Sequence, residues 1–349
     1  MRKAGSWWRK YLPGNVSNPF RLATRLLTER KPAARSAVMM AAAGILLAPI
    51  DWGLRPFEQR RYSRASVSER PILIVVGPPR SGTTLVAQYL INAFNVSYIN
   101  NLTSLFPGSP ITVNRVLKHV VPLRAGDYEA FYGKSRGLAG ANDGLYIWDR
   151  WLGSDRHQVP ARLEDGASDN MLRFFGAMDG LYQLPVVNKV NRLNTCAHLV
   201  AEVLQNARFI CLQRNPLHLA QSLYVARRDI TGNMRSAYGV QHPNSEPEDP
   251  IEDVCQQVLF HEQNARRQQD LLGESRFSIL SYEDFCRNPR SFVKSILEQH
   301  DALRLRSGSG KLATSFTVSD RIRVSNVVYE RMRDRLSELG TGQIRCRRL

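Results

Sequence analysis

The arrangement of apolar and polar residues along the chain changes near residue 70. Before this point, one apolar run covers residues 37–50, interrupted only by Gly44 and Pro49. After it, short aliphatic runs bounded by proline or glycine alternate with longer amphipathic segments. Such runs are typical of buried parallel strands, and such segments of helices that cover a sheet. The pattern therefore predicts an α/β fold: a parallel sheet flanked by helices on both faces, preceded by an N-terminal basic and apolar helical arm.

The alternation after residue 70 predicts individual strands and helices. The predicted strands are Ile72–Val76, Pro185–Val187, Arg208–Leu212 and Phe277–Leu280. The predicted helices are Thr83–Phe94, Thr195–Gln205, Pro216–Arg228, Pro250–Leu272 and Pro289–His300. We expect one main domain over residues 71–349 and a separate arm over residues 1–70.

The arm combines positive charge with an apolar run that is short for a bilayer. Fourteen helical residues span about 21 Å, whereas a hydrocarbon core of roughly 30 Å requires about 20 apolar residues. Residues 1–70 hold 14 Lys/Arg and 4 Asp/Glu, so +10 of the net charge of +17 lies there. Two interpretations stay open: a monotopic anchor on an anionic membrane surface, or a helical arm that packs on the main domain.

Composition narrows the partners and the compartment. The excess of 48 basic over 31 acidic residues suits nucleic acid, a lipid surface or a phosphorylated or sulfated small molecule. Residues 71–349 carry only +7 of the charge, so we expect no nucleic-acid partner. Five cysteines without a C-x-x-C pair, and no secretory cleavage signature, favour a cytoplasmic protein, with the anchor interpretation placing it on the inner face of the membrane.

The strongest local signal is the segment Ile72–Leu85, ILIVVGPPRSGTTL. A strand is followed by a glycine- and proline-rich turn and then by a helix N-terminus, an arrangement that directs backbone N–H groups at one anion. Gly77 and Gly82 have the spacing of a nucleotide P-loop, so the fold is expected to be P-loop-like. Thr83, however, stands where an NTPase has its lysine, and the cation is Arg80 inside the loop. A loop of this kind suits a single terminal tetrahedral anion.

The loop resembles that of a known family. The residues Pro79-Arg80-Ser81-Gly82-Thr83-Thr84 match the 5′-phosphosulfate loop, P-[KR]-S-G-T-T, of the sulfotransferases that use 3′-phosphoadenosine 5′-phosphosulfate (PAPS), in the arginine form of bacterial and Golgi-type members. The resemblance covers roughly residues 70–300. It implies transfer of a sulfuryl group from PAPS to an acceptor hydroxyl, with PAPS as co-substrate, without a metal, and with these six residues binding the donor.

A second stretch supports the resemblance independently. In Arg208–Leu223, RFICLQRNPLHLAQSL, Arg214 follows a predicted strand and Ser222 lies eight residues later on a predicted helix. An arginine fork and a hydroxyl placed in this way can converge on one phosphate. The family's R-[DN]-P-x5-S element holds the 3′-phosphate, which implies that Arg214 and Ser222 bind the donor. Arg227 and Arg228, one turn further along, either supply extra charge to this site or solvate their helix, and the second interpretation is favoured.

The catalytic residues are less completely determined by the motifs. Lys189 stands where the family places a lysine that neutralises the sulfuryl oxygens or the leaving phosphate, so Arg80 and Lys189 are expected to stabilise the transition state. At the positions where relatives carry the general base, this chain has amides, which cannot accept a proton: Asn191, Asn100 and Asn101. Among residues of the loop before Lys189, we name Asp143 as the base, with Asp149 and His157 as alternatives.

The loop over residues 124–168 is long and rich in aromatic residues: Tyr128, Phe131, Tyr132, Tyr146, Trp148 and Trp151. These rings form either a platform for a sugar ring or the core of an irregular loop. The platform interpretation favours a carbohydrate or glycolipid as the acceptor. Two other functions stay open as alternatives: a P-loop kinase or NTPase-like phosphotransferase, and a basic protein that binds nucleic acid or a membrane.

Overall fold

The structure, a computed structural model, describes residues 32–123, 128, 130–131, 134–135, 137–236, 238–243, 245, 248–308, 312–342 and 346. Six strands occur in these ranges: β1 (Ile72–Val76), β2 (Ala130–Phe131), β3 (Lys134–Ser135), β4 (Val186–Lys189), β5 (Ala207–Gln213) and β6 (Phe277–Ser281). Strands β2 and β3 form a small antiparallel pair. The other four form the main sheet in the order β4-β1-β5-β6.

The main sheet is parallel throughout and is buried on both faces. Every residue of β1 is completely buried. Ile72, Ile74 and Val76 contribute to the apolar cluster on one face, whereas Leu73 and Val75 contribute to the cluster on the other. This alternation explains the continuous apolar run of β1, since each side of the strand faces a layer of helices. The predicted fold class is confirmed.

Helices surround the sheet. Their bounds are α1 (Pro32–Ser63), α2 (Thr83–Ala93), α3 (Asn101–Leu105), α4 (Pro110–Leu117), α5 (Leu145–Leu152), α6 (Ala167–Tyr182), α7 (Ala197–Val203), α8 (Pro216–Ala226), α9 (Pro250–Leu272), α10 (Tyr282–Arg287), α11 (Pro289–Gln299) and α12 (Asn326–Glu338), with a 3₁₀ turn at Asn191–Asn194 and a π-helical turn at Arg227–Thr231. The predicted strands and helices all occur near their expected bounds. The sequence analysis did not predict helices α3, α4, α5, α6, α10 and α12 or the short strands β2 and β3.

Local capping explains why several helices begin where the sequence predicted. The side chain of Asn215 accepts hydrogen bonds from the first turn of α8, and Asp249 does the same for α9. Pro216 and Pro250 follow as the first helical residues, where a missing N–H group costs nothing. Each cap and proline pair is a local signal, so the start of the helix does not depend on distant contacts.

Helix α1 is longer than the apolar run predicted and packs on the main domain. Its Asp51 carboxylate accepts hydrogen bonds from Gly108 N and Ser109 Oγ, the latter at 2.7 Å. Seven residues later, two turns along the helix, Glu58 accepts hydrogen bonds from Ile111 N and Thr112 N at the start of α4. Both carboxylates are buried and meet the positive end of the α4 dipole. Helix α1 is thus an arm whose inner face packs on the main domain.

Of the two interpretations of the aromatic residues, the structure supports the core for two tryptophans, and the expectation for Arg227 is wrong. Trp148 and Trp151 are completely buried in the apolar cluster under the sheet, so they are core residues and not a platform. Phe131 and Tyr132 lie outside the residues whose side chains are described. Arg227 does not solvate its helix; it is buried and lies 2.5 Å from Asp253. No helix in the described ranges combines the length and apolar character that crossing a bilayer requires.

Candidate functional site

The carboxyl ends of the four parallel strands meet at one edge of the sheet. The loop after β1, Lys189 at the end of β4, Arg214 after β5 and Tyr282 after β6 all lie at this edge. In open α/β sheets this is the edge at which ligands bind. The parallel topology therefore places the separate sequence motifs side by side.

The loop after β1 depends on backbone conformations that residues other than glycine rarely adopt. Gly77 and Gly82 have φ angles of +145° and +96°. A Cβ atom on Gly77 would lie 2.7 Å from Leu212 O, and one on Gly82 would lie 2.3 Å from a ring carbon of Tyr282. Only glycine fits at either position. The ring of Tyr282 thus forms the floor under the loop.

The hydroxyl groups of the loop have different environments. Ser81 is completely buried, and its Oγ donates to Pro78 O at 2.8 Å, which closes the turn from inside. Thr83 Oγ1 donates to Asn191 Oδ1 at 3.0 Å. Thr84 Oγ1 accepts from Lys189 Nζ at 3.4 Å. The loop is therefore tied both to its own backbone and to the residues after β4.

The loop also contacts the second motif directly. Arg80 Nε donates to Ser222 Oγ at 3.1 Å, and Arg214 Nη1 donates to Arg80 O at 3.0 Å. Arg80 itself has a φ angle of +74°, a left-handed conformation that turns its carbonyl toward Arg214. The Arg214 guanidinium lies 5.2 Å from the centre of the Tyr282 ring and also donates to Ser319 O. The residues predicted to grip the two ends of the donor form one continuous surface.

The charge of Arg214 is held in an unfavourable environment. Its Nε atom is buried and has no hydrogen-bond partner among the described residues. Burial lowers the pKa of the Arg214 guanidinium, and repulsion from Arg80 and Arg323 adds to the effect. Arg80, Arg214 and Arg323 thus form a cluster of like charges. An anion bound here would relieve the repulsion and offset the cost of burial.

Lys189 and Asp143 form an ion pair beside the loop. Lys189 Nζ lies 2.6 Å from Asp143 Oδ1 while also reaching Thr84 Oγ1. The lysine side chain is buried and the aspartate is partly exposed. An ammonium group and a carboxylate are therefore held together at the end of β4, next to the helix N-terminus.

Asparagine side chains hold the turn that carries Asp143. Asn142 N donates to Ile99 O at 2.8 Å, and Asn142 Nδ2 donates to Asn101 Oδ1 at 2.7 Å. Gly144 follows with a φ angle of +66°, and a Cβ atom there would lie 2.8 Å from the Ile99 side chain. Asn100 is buried and caps α3. Asn100 and Asn101, which stand where relatives carry the base, are therefore structural. Asn101 helps to position Asp143 through its hydrogen bond with Asn142.

A recess opens beside this ion pair. Thr84, Asp143 and Lys189 line it. Its other lining residues are apolar or carry amide groups: Ala87, Gln88, Ile91, Tyr98, Ile99, Ala141, Asn142, Val187 and Asn188. A small or narrow group that enters the recess meets a carboxylate and an ammonium group together.

Comparison with known proteins identifies the family of this chain. The model of the sulfotransferase family matches residues 71–302, a span that contains the loop, Asp143, Lys189, Arg214 and Ser222. The chain belongs to the sulfotransferase family. No curated protein matches the sequence of this sulfotransferase significantly.

Two solved structures show the same fold. The sulfotransferase STF1 from Mycobacterium tuberculosis H37Rv is 12% identical, with a TM-score of 0.53 over 95% of this chain and 92% of that one. The sulfotransferase STF9 from Mycobacterium avium is 16% identical, with a TM-score of 0.50 over 97% of this chain and 86% of that one. At these identities the likeness concerns the fold alone.

The two alternative bases, Asp149 and His157, have other contacts in this sulfotransferase. Asp149 accepts hydrogen bonds from Arg156 Nε and Nη2, the latter at 2.6 Å, and lies 3.9 Å from Arg192. His157 Nδ1 lies 2.9 Å from Gly239 O, and Gly239 packs against Pro79. Asp149 therefore stabilises the loop that follows α5, and His157 supports the phosphate loop from outside.

Sequence reasoning missed a buried charge cluster next to α8. Asp253 contacts Arg227, and it also lies 3.0 Å from His242 Nε2 and accepts from Ser245 Oγ. Burial alone would raise the pKa of Asp253, but these partners hold it below its ordinary value. No local pattern pointed to this cluster, since its members come from separate segments. Among the described residues, no group of three or more His, Cys, Asp or Glu side chains is arranged to hold a metal ion.

Proposed function

We propose that this sulfotransferase moves a sulfuryl group from PAPS to an acceptor hydroxyl. The observation that carries the proposal is the contact between the two motifs, through Arg80 Nε and Ser222 Oγ and through Arg214 Nη1 and Arg80 O. PAPS carries phosphate at two ends of its nucleoside. Residues Pro79–Thr84 would hold the 5′-phosphosulfate, and Arg214 with Ser222 would hold the 3′-phosphate.

The residues present fit such a donor. The first N–H groups of α2 have no partners within the helix, and no described side chain caps this end. The N-terminus of the helix therefore favours an anion. At the other end, the buried Arg214 Nε is available for a charge-assisted hydrogen bond. Both ends of the surface thus attract negative charge, as a doubly charged adenosine donor requires.

The chemistry assigned to this chain is proton removal and charge stabilisation. Asp143 would take the proton of the acceptor hydroxyl as the acceptor oxygen bonds to sulfur and the sulfur–oxygen bond to the 5′-phosphate breaks. The second product is 3′-phosphoadenosine 5′-phosphate. A positioned base contributes about 10²–10⁴-fold to a rate. Lys189 and Arg80 would neutralise the charge that develops on the sulfuryl and bridging oxygens, and one such donor contributes about 10²–10³-fold.

For the acceptor, we propose a hydroxyl of a carbohydrate or glycolipid that enters the recess beside Asp143. The amides of Gln88 and Asn188 suit neighbouring hydroxyl groups of a sugar. Ile91 and Ile99 suit the apolar face of a ring or an alkyl chain. With Trp148 and Trp151 buried in the core, the support for this acceptor comes from the recess and not from an aromatic platform.

The organisation we propose is a catalytic domain over residues 71–349 with residues 1–70 as an arm. We place the protein in the cytoplasm, at the inner face of the membrane, with an anionic lipid surface as its second partner. The five free cysteines are consistent with a reducing compartment.

The test combines nucleotide binding with transfer. Calorimetry with 3′-phosphoadenosine 5′-phosphate is expected to show binding to the wild type and a loss of at least about tenfold in affinity in Arg214→Ala, since hydrogen bonds to charged groups are involved. Arg162→Ala, at an exposed surface ion pair, is the matched control. Labelled PAPS with a panel of glycans, glycolipids and phenols then identifies the acceptor. Absence of nucleotide binding in the wild type, or unchanged affinity in Arg214→Ala, contradicts the proposal.

A further inference from the structure

Helix α1 has an unusual distribution of polar and apolar side chains. Its sequence contains two acidic residues, Asp51 and Glu58, and both point inward to the start of α4, where they are buried. Its largest apolar side chains point outward. In an ordinary surface helix, apolar residues face the core and charged residues face water. From Ile45 to Phe57, the outer face of α1 is the reverse of that pattern.

The outward residues form a continuous apolar stripe. Leu46, Ile50 and Phe57 are spaced by four and seven residues and are 79%, 54% and 51% exposed. The row beside them, Ile45, Pro49, Trp52 and Pro56, is exposed as well, with Trp52 47% exposed. Residues at these spacings share one side of a helix. Over this length of helix, the stripe is about 18 Å long at 1.5 Å per residue, and soluble proteins do not expose such patches without a function.

The charge around the stripe is positive. Arg55, Arg60 and Arg64 are exposed beside it or just beyond its end. Arg55 also lies 5.8 Å from the centre of the Trp52 ring. Since the acidic residues of α1 are turned inward, no negative charge from this helix opposes an anionic surface. Residues 1–31, which precede α1, hold eight Lys/Arg and one acidic residue.

We propose that the outer face of α1, from Ile45 to Phe57, lies on an anionic lipid bilayer with its apolar side chains among the headgroups. An apolar helix face flanked by arginine and carrying tryptophan is typical of helices that lie in the membrane interface. A second copy of this chain fits less well, because a symmetric contact would bring the same arginines of the two copies together. The proposal rests on the membrane localisation proposed above and not on the sulfuryl-transfer chemistry, so the vesicle test and the transfer test can fail separately.

Vesicle flotation tests the proposal on the full-length protein. One set of vesicles contains phosphatidylcholine alone and the other also contains phosphatidylglycerol. The wild type is expected to float with the anionic vesicles, and Leu46→Gln/Ile50→Gln/Phe57→Gln is expected to bind them at least about 100-fold more weakly. Leu271→Gln changes an exposed leucine on α9 and is expected to bind as the wild type does. Equal thermal unfolding temperatures show that the variants fold.

Arg60→Gln/Arg64→Gln tests the electrostatic part, with an expected loss of about fivefold per arginine on anionic vesicles. Quenching of tryptophan fluorescence by brominated lipid is expected to fall in Trp52→Phe, because the ring lies at the bilayer. Three outcomes overturn the proposal: a triple variant that binds like the wild type, equal binding to both kinds of vesicle, or a wild type that does not float and is an oligomer that the triple variant dissociates. The last outcome identifies a second copy as the occupant.

Discussion

The ammonium group of Lys189 lies 2.6 Å from a carboxylate oxygen of Asp143. The lysine ends the edge strand β4, and the aspartate belongs to a turn before α5 that Asn101 and Asn142 hold in place. The pair lines the recess and contacts the phosphate loop through Thr84. A proton acceptor and a fixed positive charge therefore stand together at the place where the proposed reaction occurs.

Asp143→Asn is expected to lower kcat by about 10²–10⁴-fold, because an amide cannot accept the proton of the acceptor hydroxyl. Its affinity for 3′-phosphoadenosine 5′-phosphate is expected to stay within a few-fold of the wild type, since the carboxylate does not belong to the proposed nucleotide surface. Steady-state kinetics and calorimetry measure the two effects. Asp165→Asn, at an exposed loop position, is the matched control. Full activity in Asp143→Asn would show that another residue is the base.

Lys189→Met is expected to lower kcat by about 10²–10³-fold, since it removes one charge that stabilises the transition state. The methionine keeps most of the buried stem volume, but Asp143 loses its ion-pair partner, so stability is expected to fall moderately. Lys294→Met, at an exposed position on α11, controls for the loss of a positive charge. A variant that loses nucleotide affinity instead of kcat would assign Lys189 to ground-state binding.

Ser222→Ala removes the hydroxyl that Arg80 Nε contacts. We expect the affinity for 3′-phosphoadenosine 5′-phosphate to fall about tenfold, because a hydrogen bond to a charged group is worth about 1.5–3 kcal/mol. Calorimetry measures the change. Ser63→Ala removes an exposed hydroxyl that donates to Arg60 O and is expected to bind the nucleotide normally. Equal affinities in the two variants would show that Ser222 serves the loop and not the donor.

Gly82→Ala is expected to disrupt the phosphate loop. The new Cβ atom would lie 2.3 Å from the Tyr282 ring, at a φ angle of +96°, so the loop or the ring must move. We expect nucleotide binding to be lost and the free energy of unfolding to fall by roughly 1–3 kcal/mol. In Gly180→Ala, on α6, nothing lies within 4 Å of the new atom, and stability is expected to rise by about 0.5–1 kcal/mol. Equal stabilities would show that the loop has space to adjust.

Acid is expected to destabilise the fold through His261. Burial, with repulsion from His242, lowers the pKa of His261 from 6.5 to about 4. Between these values the unfolded chain binds a proton that the folded chain does not, so stability falls as the pH falls from 6.5 to about 4. The group accounts for about 3 kcal/mol of this loss. Urea unfolding at both ends of the window is expected to show a smaller difference in His261→Asn, and an unchanged difference would exclude His261 as the cause.

Much of the fold and of the nucleotide surface could be predicted because the signals are local. An apolar run such as Ile72–Val76 forms a strand wherever both faces are covered, and Asn215 with Pro216 starts a helix by satisfying nearby N–H groups. Gly77 and Gly82 indicate backbone conformations that other residues rarely adopt. Arg214 follows a strand and Ser222 lies eight residues later on the next helix, so the turn between them places both side chains on the same side.

Other features depended on contacts between distant segments. The sequence names Asp143 ahead of Asp149 and His157, and the ion pair with Lys189 is a contact that only the tertiary structure shows. Trp148 and Trp151 look the same in a binding platform and in a core. Arg227 resembles any charged helix residue until Asp253 arrives from α9.

The sequence by itself determined the parallel α/β fold, the phosphate loop and the second motif, since propensities, caps and glycine conformations act over a few residues. The tertiary structure decided which carboxylate faces Lys189, which aromatic rings are core and which side of α1 packs on the main domain. Burial and ion pairing depend on which residues of distant segments contact a side chain. The packing of the whole chain sets those contacts.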